Sequence, residues 1–167
     1  MLTALLILAT PIAGQTADPL AQARAGMIQC IRPNEAAKTC MGTATYKINA
    51  DGSFESTTTL MIAPSPLITM AVTSSGTVQG GALCGPVNKA DFETAVIQMD
   101  GQPANDAMAA AIRPQILSAI ASMEGKMSCG TEAPDGTITV TLDGTPRPDM
   151  TQKAKWVKPS DGYKLGA

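Results

Sequence analysis

The sequence predicts an α+β fold: an antiparallel sheet of about five or six strands, one main (Pro-kinked) helix packed on one face, and two disulfides. Three observations lead there. Short segments alternate apolar and polar side chains and are separated by Asp-Gly or Gly-rich turns. One long stretch repeats apolar residues at helical spacing. Cys30, Cys40, Cys84 and Cys129 include no Cys-x-x-Cys pair, the spacing that redox dithiols and zinc ribbons use.

The chain opens on Leu2 to Ala13, a nearly pure apolar run followed by polar Gln15, Thr16 and Asp18. A membrane span needs roughly 20 such residues, so this shorter run fits the apolar region of a secretory signal peptide. No Lys or Arg precedes it, which leaves the terminal amine as the positive end. Small residues from Gly14 to Ala17 offer the cleavage site, so residues 1–17 are expected to be a leader. Residues 18–167 are then one α+β domain with an extended basic C-terminal segment over 144–167. The mature protein is expected to be periplasmic or secreted, with no transmembrane segment. In that oxidising setting, an even number of cysteines favours disulfides over free thiols or metal. Four cysteines permit three pairings. Cys30 with Cys40 and Cys84 with Cys129 are favoured, since the first pair brackets a short Pro-containing loop and the second ties the ends of a helical region.

Along the mature chain, Gly26 to Ile31 reads as a short strand and Pro33 to Lys38 as a turn. Thr43 to Asn49 sets Ala44, Tyr46 and Ile48 against Thr43, Thr45 and Lys47, and Asp51-Gly52 accepts the positive φ of a tight hairpin turn. The return strand, Ser53 to Ile62, carries Phe54, Leu60 and Ile62 at even positions, but Ser56 to Thr59 dilute its apolar face. After Pro64-Ser65-Pro66, a strand from Leu67 to Thr73 is expected to turn at Ser74-Ser75-Gly76. Gly80-Gly81 breaks regularity again before Cys84. Asn88 is a candidate N-cap for a helical turn, and Ala95 to Met99 a short strand closed by Asp100-Gly101.

The main helix is expected from about Ala104 to Met123, where Met108, Ile112, Ile116 and Ile120 recur every four residues. Asn105 or Asp106 supplies the start and Gly125 the stop, while Pro114 should kink or divide it because it removes a backbone donor. Thr137 to Leu142, with Ile138, Val140 and Leu142 on one face, is the cleanest strand. Beyond it the prolines at 146, 148 and 159 favour extended chain, with Lys153 to Val157 as an edge strand and Trp156 and Tyr163 as packing anchors.

The charge is unevenly spread. Residues 144–167 hold five basic and two acidic side chains, a balance of +3, whereas 18–143 hold seven and twelve, a balance of −5. The basic segment, with Lys153, Lys155, Trp156, Lys158 and Tyr163, is the candidate partner-binding surface for an acidic envelope protein, a polysaccharide or another anionic surface. The net charge of −2 and 3% aromatics argue against nucleic acid.

With no histidine, Ser-His-Asp and Cys-His catalysis and His-containing zinc sites are ruled out. Lysine beside serine is the remaining nucleophile–base pairing; Ser122 and Lys126 are the best local pair, but Gly125 separates them at the helix end. No catalytic residue, metal ligand or cofactor-binding motif is assigned, and no cofactor is expected.

Gln29-Cys30 with Pro33, Lys38-Thr39-Cys40, Cys84-Gly85, and the ending Trp156-Val157 with Pro159 and Gly162-Tyr163 resemble a set of small secreted four-cysteine proteins from alphaproteobacteria. The resemblance spans most of the mature chain. It implies export and disulfides and, with no activity assigned to the set, no site residues. The expected function is therefore a non-enzymatic binding or envelope-associated module. The alternative is an enzyme or enzyme inhibitor acting without histidine.

Overall fold

A computed structural model describes residues 18–167; the expected leader lies outside the described residues. In chain order the elements are α1 (Ala21–Arg24), β1 (Ile28–Asn34), β2 (Thr39–Ile48), β3 (Phe54–Pro64), β4 (Leu67–Gln79) and β5 (Ala82–Pro86). There follow α2 (Lys89–Glu93), β6 (Val96–Met99), β7 (Gln102–Pro103), α3 (Asp106–Ile120), β8 (Met127–Glu132) and β9 (Thr137–Leu142). The chain ends through β10 (Thr145–Pro146), β11 (Gln152–Val157) and β12 (Lys164–Leu165), with single 3-10 turns at Pro148–Met150 and Pro159–Asp161.

The strands β1, β2, β3, β4, β5, β8, β9 and β11 pair antiparallel, each with the next, and β11 returns to pair with β1. The sheet thus closes on itself as an antiparallel meander, which removes the open edges that an ordinary sheet must protect. Two strands turn the corners. β4 pairs with β3 through Leu67–Gly76 and with β5 through Thr77–Gln79, and β11 pairs with β1 through Ala154–Val157 and with β9 through Gln152 and Lys153. The β6–β7 hairpin hangs on the first half of β4, β10 on β9, and β12 runs parallel to β2.

This overturns the expected five or six strands with one main helix: the sheet has twelve strands. Part of the shortfall comes from Ser74-Ser75-Gly76, which is strand rather than turn. Gly76 is there for close approach. A Cβ on it would meet the Phe54 ring and the Cys84 carbonyl oxygen, each at 2.5 Å. The true hairpin turn is Gly80-Gly81, both at positive φ, between paired Gln79 and Ala82. Lys153 to Val157 is not an edge strand, because β11 lies between β1 and β9. Ile62, expected on the inner face with Phe54 and Leu60, falls in a bulge between Met61 and Ala63 and is 44% exposed.

The helix α3 is shorter than expected and runs through Pro114 undivided. Asn105 caps it by accepting from the Met108 amide at 2.9 Å, and the Gln115 side chain donates to the Ala111 carbonyl in the turn around the proline. Ala109, Ile112 and Ile116 pack on Met70, Val72, Ala95 and Ile97, so the helical stripe covers β4 and β6. Arg113 ties α3 to the end of α2 by donating to the carbonyls of Phe92 at 3.0 Å, Glu93 and Ala95.

Cys30 is joined to Cys40 and Cys84 to Cys129. The first bridge is fully buried with Val157, Ile28 and Tyr163 in a small second core; the second links directly paired positions of β5 and β8. No described helix is long and apolar enough to cross a membrane.

Candidate functional site

Strand register decides which side chains point into the closed sheet. On one wall, Gln29 stands opposite Ala44, Ala44 opposite Thr58, Tyr46 opposite Ser56, Ser56 opposite Ser74, and Phe54 opposite Gly76. On the other wall, Leu83 faces Gly130, Gly85 faces Ser128, and Ile138 faces both Glu132 and Gln152. An eight-stranded barrel is just wide enough for large inward side chains to fill it. Here many inward positions are Ala, Ser or Gly, and the shortfall in volume remains as a cavity of about 330 Å³ lined by these residues apart from Gly76 and by Pro19 of the N-terminal turn. That volume lies within the range of small-molecule sites, roughly 300–1,000 Å³.

The cavity has one polar centre. The Tyr46 hydroxyl donates to Gln29 Oε1 at 2.8 Å, Gln29 Nε2 donates to Glu132 Oε2 at 2.8 Å, and the Trp156 indole N–H donates to the same Oε2 at 3.1 Å. Gln29 is only 4% exposed, so its amide needs both bonds, and together they fix its orientation. Burial first, and the Glu132 carboxylate second, push the Tyr46 phenol up to about 12. It therefore stays a neutral donor at physiological pH. Around this centre the Tyr46 ring packs edge-on to Phe54 at 5.7 Å and tilted against Trp156 at 5.8 Å. Among the cavity-lining residues Glu132 is the one carboxylate, and none is Lys or Arg. One carboxylate among hydroxyls and carboxamides is a set for orienting an organic ligand by hydrogen bonds; it supplies no second acid for acid–base work and no cluster of metal ligands.

A second, outer cleft of about 900 Å³ lies across this polar centre and is lined by Arg32, Glu35, Asp135, Lys153, Lys155 and Trp156, among others. Glu132 and Gln152 line both spaces and form the partition between them.

The structure places three of the five residues singled out in the basic segment in one cleft and sets a fourth, Tyr163, under the Lys155 ammonium, with Nζ 5.9 Å from the ring centre. Lys153, Lys155 and Trp156 share the outer cleft. Lys158 stands beyond the end of β11, with its backbone amide donating to Asp161 at 2.8 Å, and Tyr163 packs on the Cys30–Cys40 bridge. Both cleft lysines already have acidic neighbours. Lys153 Nζ lies 2.6 Å from Asp135 and 2.6 Å from the Thr137 hydroxyl, and Lys155 Nζ lies 3.0 Å from Glu35. The Lys153 ammonium and the Thr137 amide hold the Asp135 carboxyl well below the usual carboxylate range. The charge split between body and tail is thus partly compensated within the fold, since Asp135 and Glu35 belong to the acidic body and the lysines to the basic tail.

Sequence reasoning passed over Gln29, Tyr46, Glu132, Ser56 and Ser74 as site residues. The available signal was the diluted face of β3: Ser56 and Thr58 share their face with Phe54 and Leu60, and hydroxyls at core-facing positions mark an interior that side chains do not fill. Comparison with family models, with curated proteins and with solved structures finds no match to this chain.

Proposed function

We propose that this protein is an exported, non-enzymatic binding module that holds one small organic ligand inside its closed sheet. The observation that carries this is the 330 Å³ interior cavity, whose walls place small and hydroxyl side chains at inward positions and converge on Tyr46, Gln29 and Glu132. A mostly apolar concavity with a few oriented polar groups is the usual form of a small-molecule site. The two disulfides support export, because such bridges persist in oxidising compartments. In this reading Lys153 and Lys155 are walls of the outer cleft, held by Asp135 and Glu35, and the cleft is where a ligand or an acidic partner first meets the protein.

The test is a titration of the exported protein with the neutral dye N-phenyl-1-naphthylamine, followed by dye emission and by quenching of Trp156. Saturable one-to-one binding is expected, and Ser74→Phe, which puts a ring into the cavity, is expected to abolish it while the circular dichroism stays unchanged. No saturable binding, or equal binding by a folded Ser74→Phe protein, would overturn the interior site.

A further inference from the structure

Resting on the interior site, we infer that its natural ligand is a small organic cation, an amine or ammonium compound with an apolar body, whose charged head sits against Glu132. Four observations converge. First, the cavity lining holds a single carboxylate and no basic side chain. A half-buried carboxylate with no basic side chain beside it in the lining is an acceptor that a ligand's positive charge can pair with. Second, the two protein donors that reach Glu132, from Gln29 and Trp156, both use Oε2. Oε1 has no hydrogen-bond partner among the described residues and is free for a ligand N–H.

Third, the basic groups on the far side of the partition are engaged elsewhere: Lys153 bonds Asp135 and Lys155 bonds Glu35, while Arg32 is exposed on the outer rim. None of them answers Glu132. Fourth, the rings of Tyr46 and Phe54 line the same space as the carboxylate. Aromatic faces attract cations and are indifferent or repulsive to anions, so rings and carboxylate select the same sign of charge. The hydroxyls of Ser56, Ser74 and Ser128 can solvate a head group but cannot reverse that sign. Gln29 acts as a positioning residue: the Tyr46 hydroxyl holds its carbonyl, which turns its amide nitrogen onto Glu132 and keeps the carboxylate in place.

The experiment uses benzylammonium, benzyl alcohol and benzoate, three probes with one ring and different heads, each displacing N-phenyl-1-naphthylamine from the wild-type protein at neutral pH. Benzylammonium is expected to bind at least tenfold more tightly than benzyl alcohol, with benzoate weakest. Glu132→Gln keeps an acceptor for Gln29 and Trp156 and is expected to bring benzylammonium and benzyl alcohol to within about threefold of each other. Equal binding of the three heads by the wild type, failure of benzylammonium alone to displace the dye, or an unchanged order in Glu132→Gln would overturn the cation inference and leave the interior site standing. Loss of the site itself shows differently, as absent dye binding in the wild type. The comparison of heads on the wild type needs no variant, so a misfolded substitution does not rescue or sink it.

Discussion

Replacing Glu132 by alanine removes the shared acceptor of the interior network and gives its cost a calculable size. Gln29 Nε2 at 2.8 Å and the Trp156 indole N–H at 3.1 Å both lose their partner. A buried donor left unmade costs about 1–3 kcal/mol. Gln29 is 4% exposed and bears the upper part of that range, whereas Trp156 borders the outer cleft, where water can take its N–H. The expected loss is about 2–4 kcal/mol, or roughly 4–16 °C in Tm for a chain of this size. Glu132→Gln retains an acceptor of the same shape and should cost about 1 kcal/mol or less, since a neutral hydrogen bond is weaker than a charged one but the carboxylate's desolvation is also relieved. Urea unfolding followed by circular dichroism and by fluorescence measures both. Trp156 is the sole tryptophan, so its emission reports the network directly and should shift to the red in Glu132→Ala. An alanine variant within about 0.5 kcal/mol of wild type, with unchanged emission, would refute the network as the organising feature of the interior.

Four further outcomes follow from the same structure. Tyr46 has a folded pKa above its unfolded value of 10.0, so its contribution is complete below pH 10 and is lost as pH rises through 12. The loss amounts to about 3 kcal/mol, and Tyr46→Phe should flatten that alkaline limb of the urea midpoint; an identical limb in the variant counts against it. Asp135 is shifted the other way, so its contribution is present above about pH 4 and falls away in more acid solution, and Asp135→Asn should lessen acid sensitivity between about pH 4 and 2. The disulfides close loops with sequence separations of 10 and 45, worth about 3 and about 4 kcal/mol by loop closure. Cys84→Ser with Cys129→Ser should therefore destabilise more than the Cys30, Cys40 double variant, and alkylation without reductant should leave the intact mass unchanged; reaction of two or more cysteines would contradict the bridges. Ending the chain after Asp143 removes β11 and should prevent folding, whereas ending it after Gly162 removes residues 163–167, with Tyr163 and β12, and should leave a weakened but cooperative fold by thermal melting; a folded protein lacking residues 144–167 would contradict ring closure.

Local structure was legible wherever one strong signal acted alone. Ile138, Val140 and Leu142 alternate between two Asp-Gly pairs, and β9 spans Thr137–Leu142. The four-residue apolar spacing marks α3, and Asn105 caps it. The strand count was not legible, for identifiable reasons. β5 and β8 place Cys, Gly and Ser at paired positions, which leaves no hydrophobic alternation to detect. The two-residue strands β7, β10 and β12 exist only because turns or tertiary contacts bring them beside a neighbour. Gly76 carries the usual mark of a turn, yet it serves the close approach of the Phe54 ring on β3 and the Cys84 carbonyl on β5, the two strands that flank β4. Steric demand between residues on neighbouring strands has no local signature in the sequence.

The candidate site was hidden by the same logic that makes it a site. A sheet face packed on a core alternates apolar with polar residues, and each hydroxyl on the apolar side weakens the pattern that a reader of the sequence seeks. Ser56 and Thr58 on β3, Ser74 on β4 and Ser128 on β8 all weaken it, and all four line the cavity. Had these positions been Val or Leu, the strands would have been plain in the sequence and the barrel would have been filled. Glu132 follows the same rule: it looks like a surface acid near a turn, and only the pairing of β8 with β9 and the cross-barrel reach of Gln29 and Trp156 turn it inward. The basic tail, conspicuous in the sequence, supplies β11, one of the strands that completes the ring; its Gln152 lines the cavity, and its Trp156 lines the outer cleft and donates to Glu132. Its contribution to binding therefore runs through closure of the interior as well as through its charge.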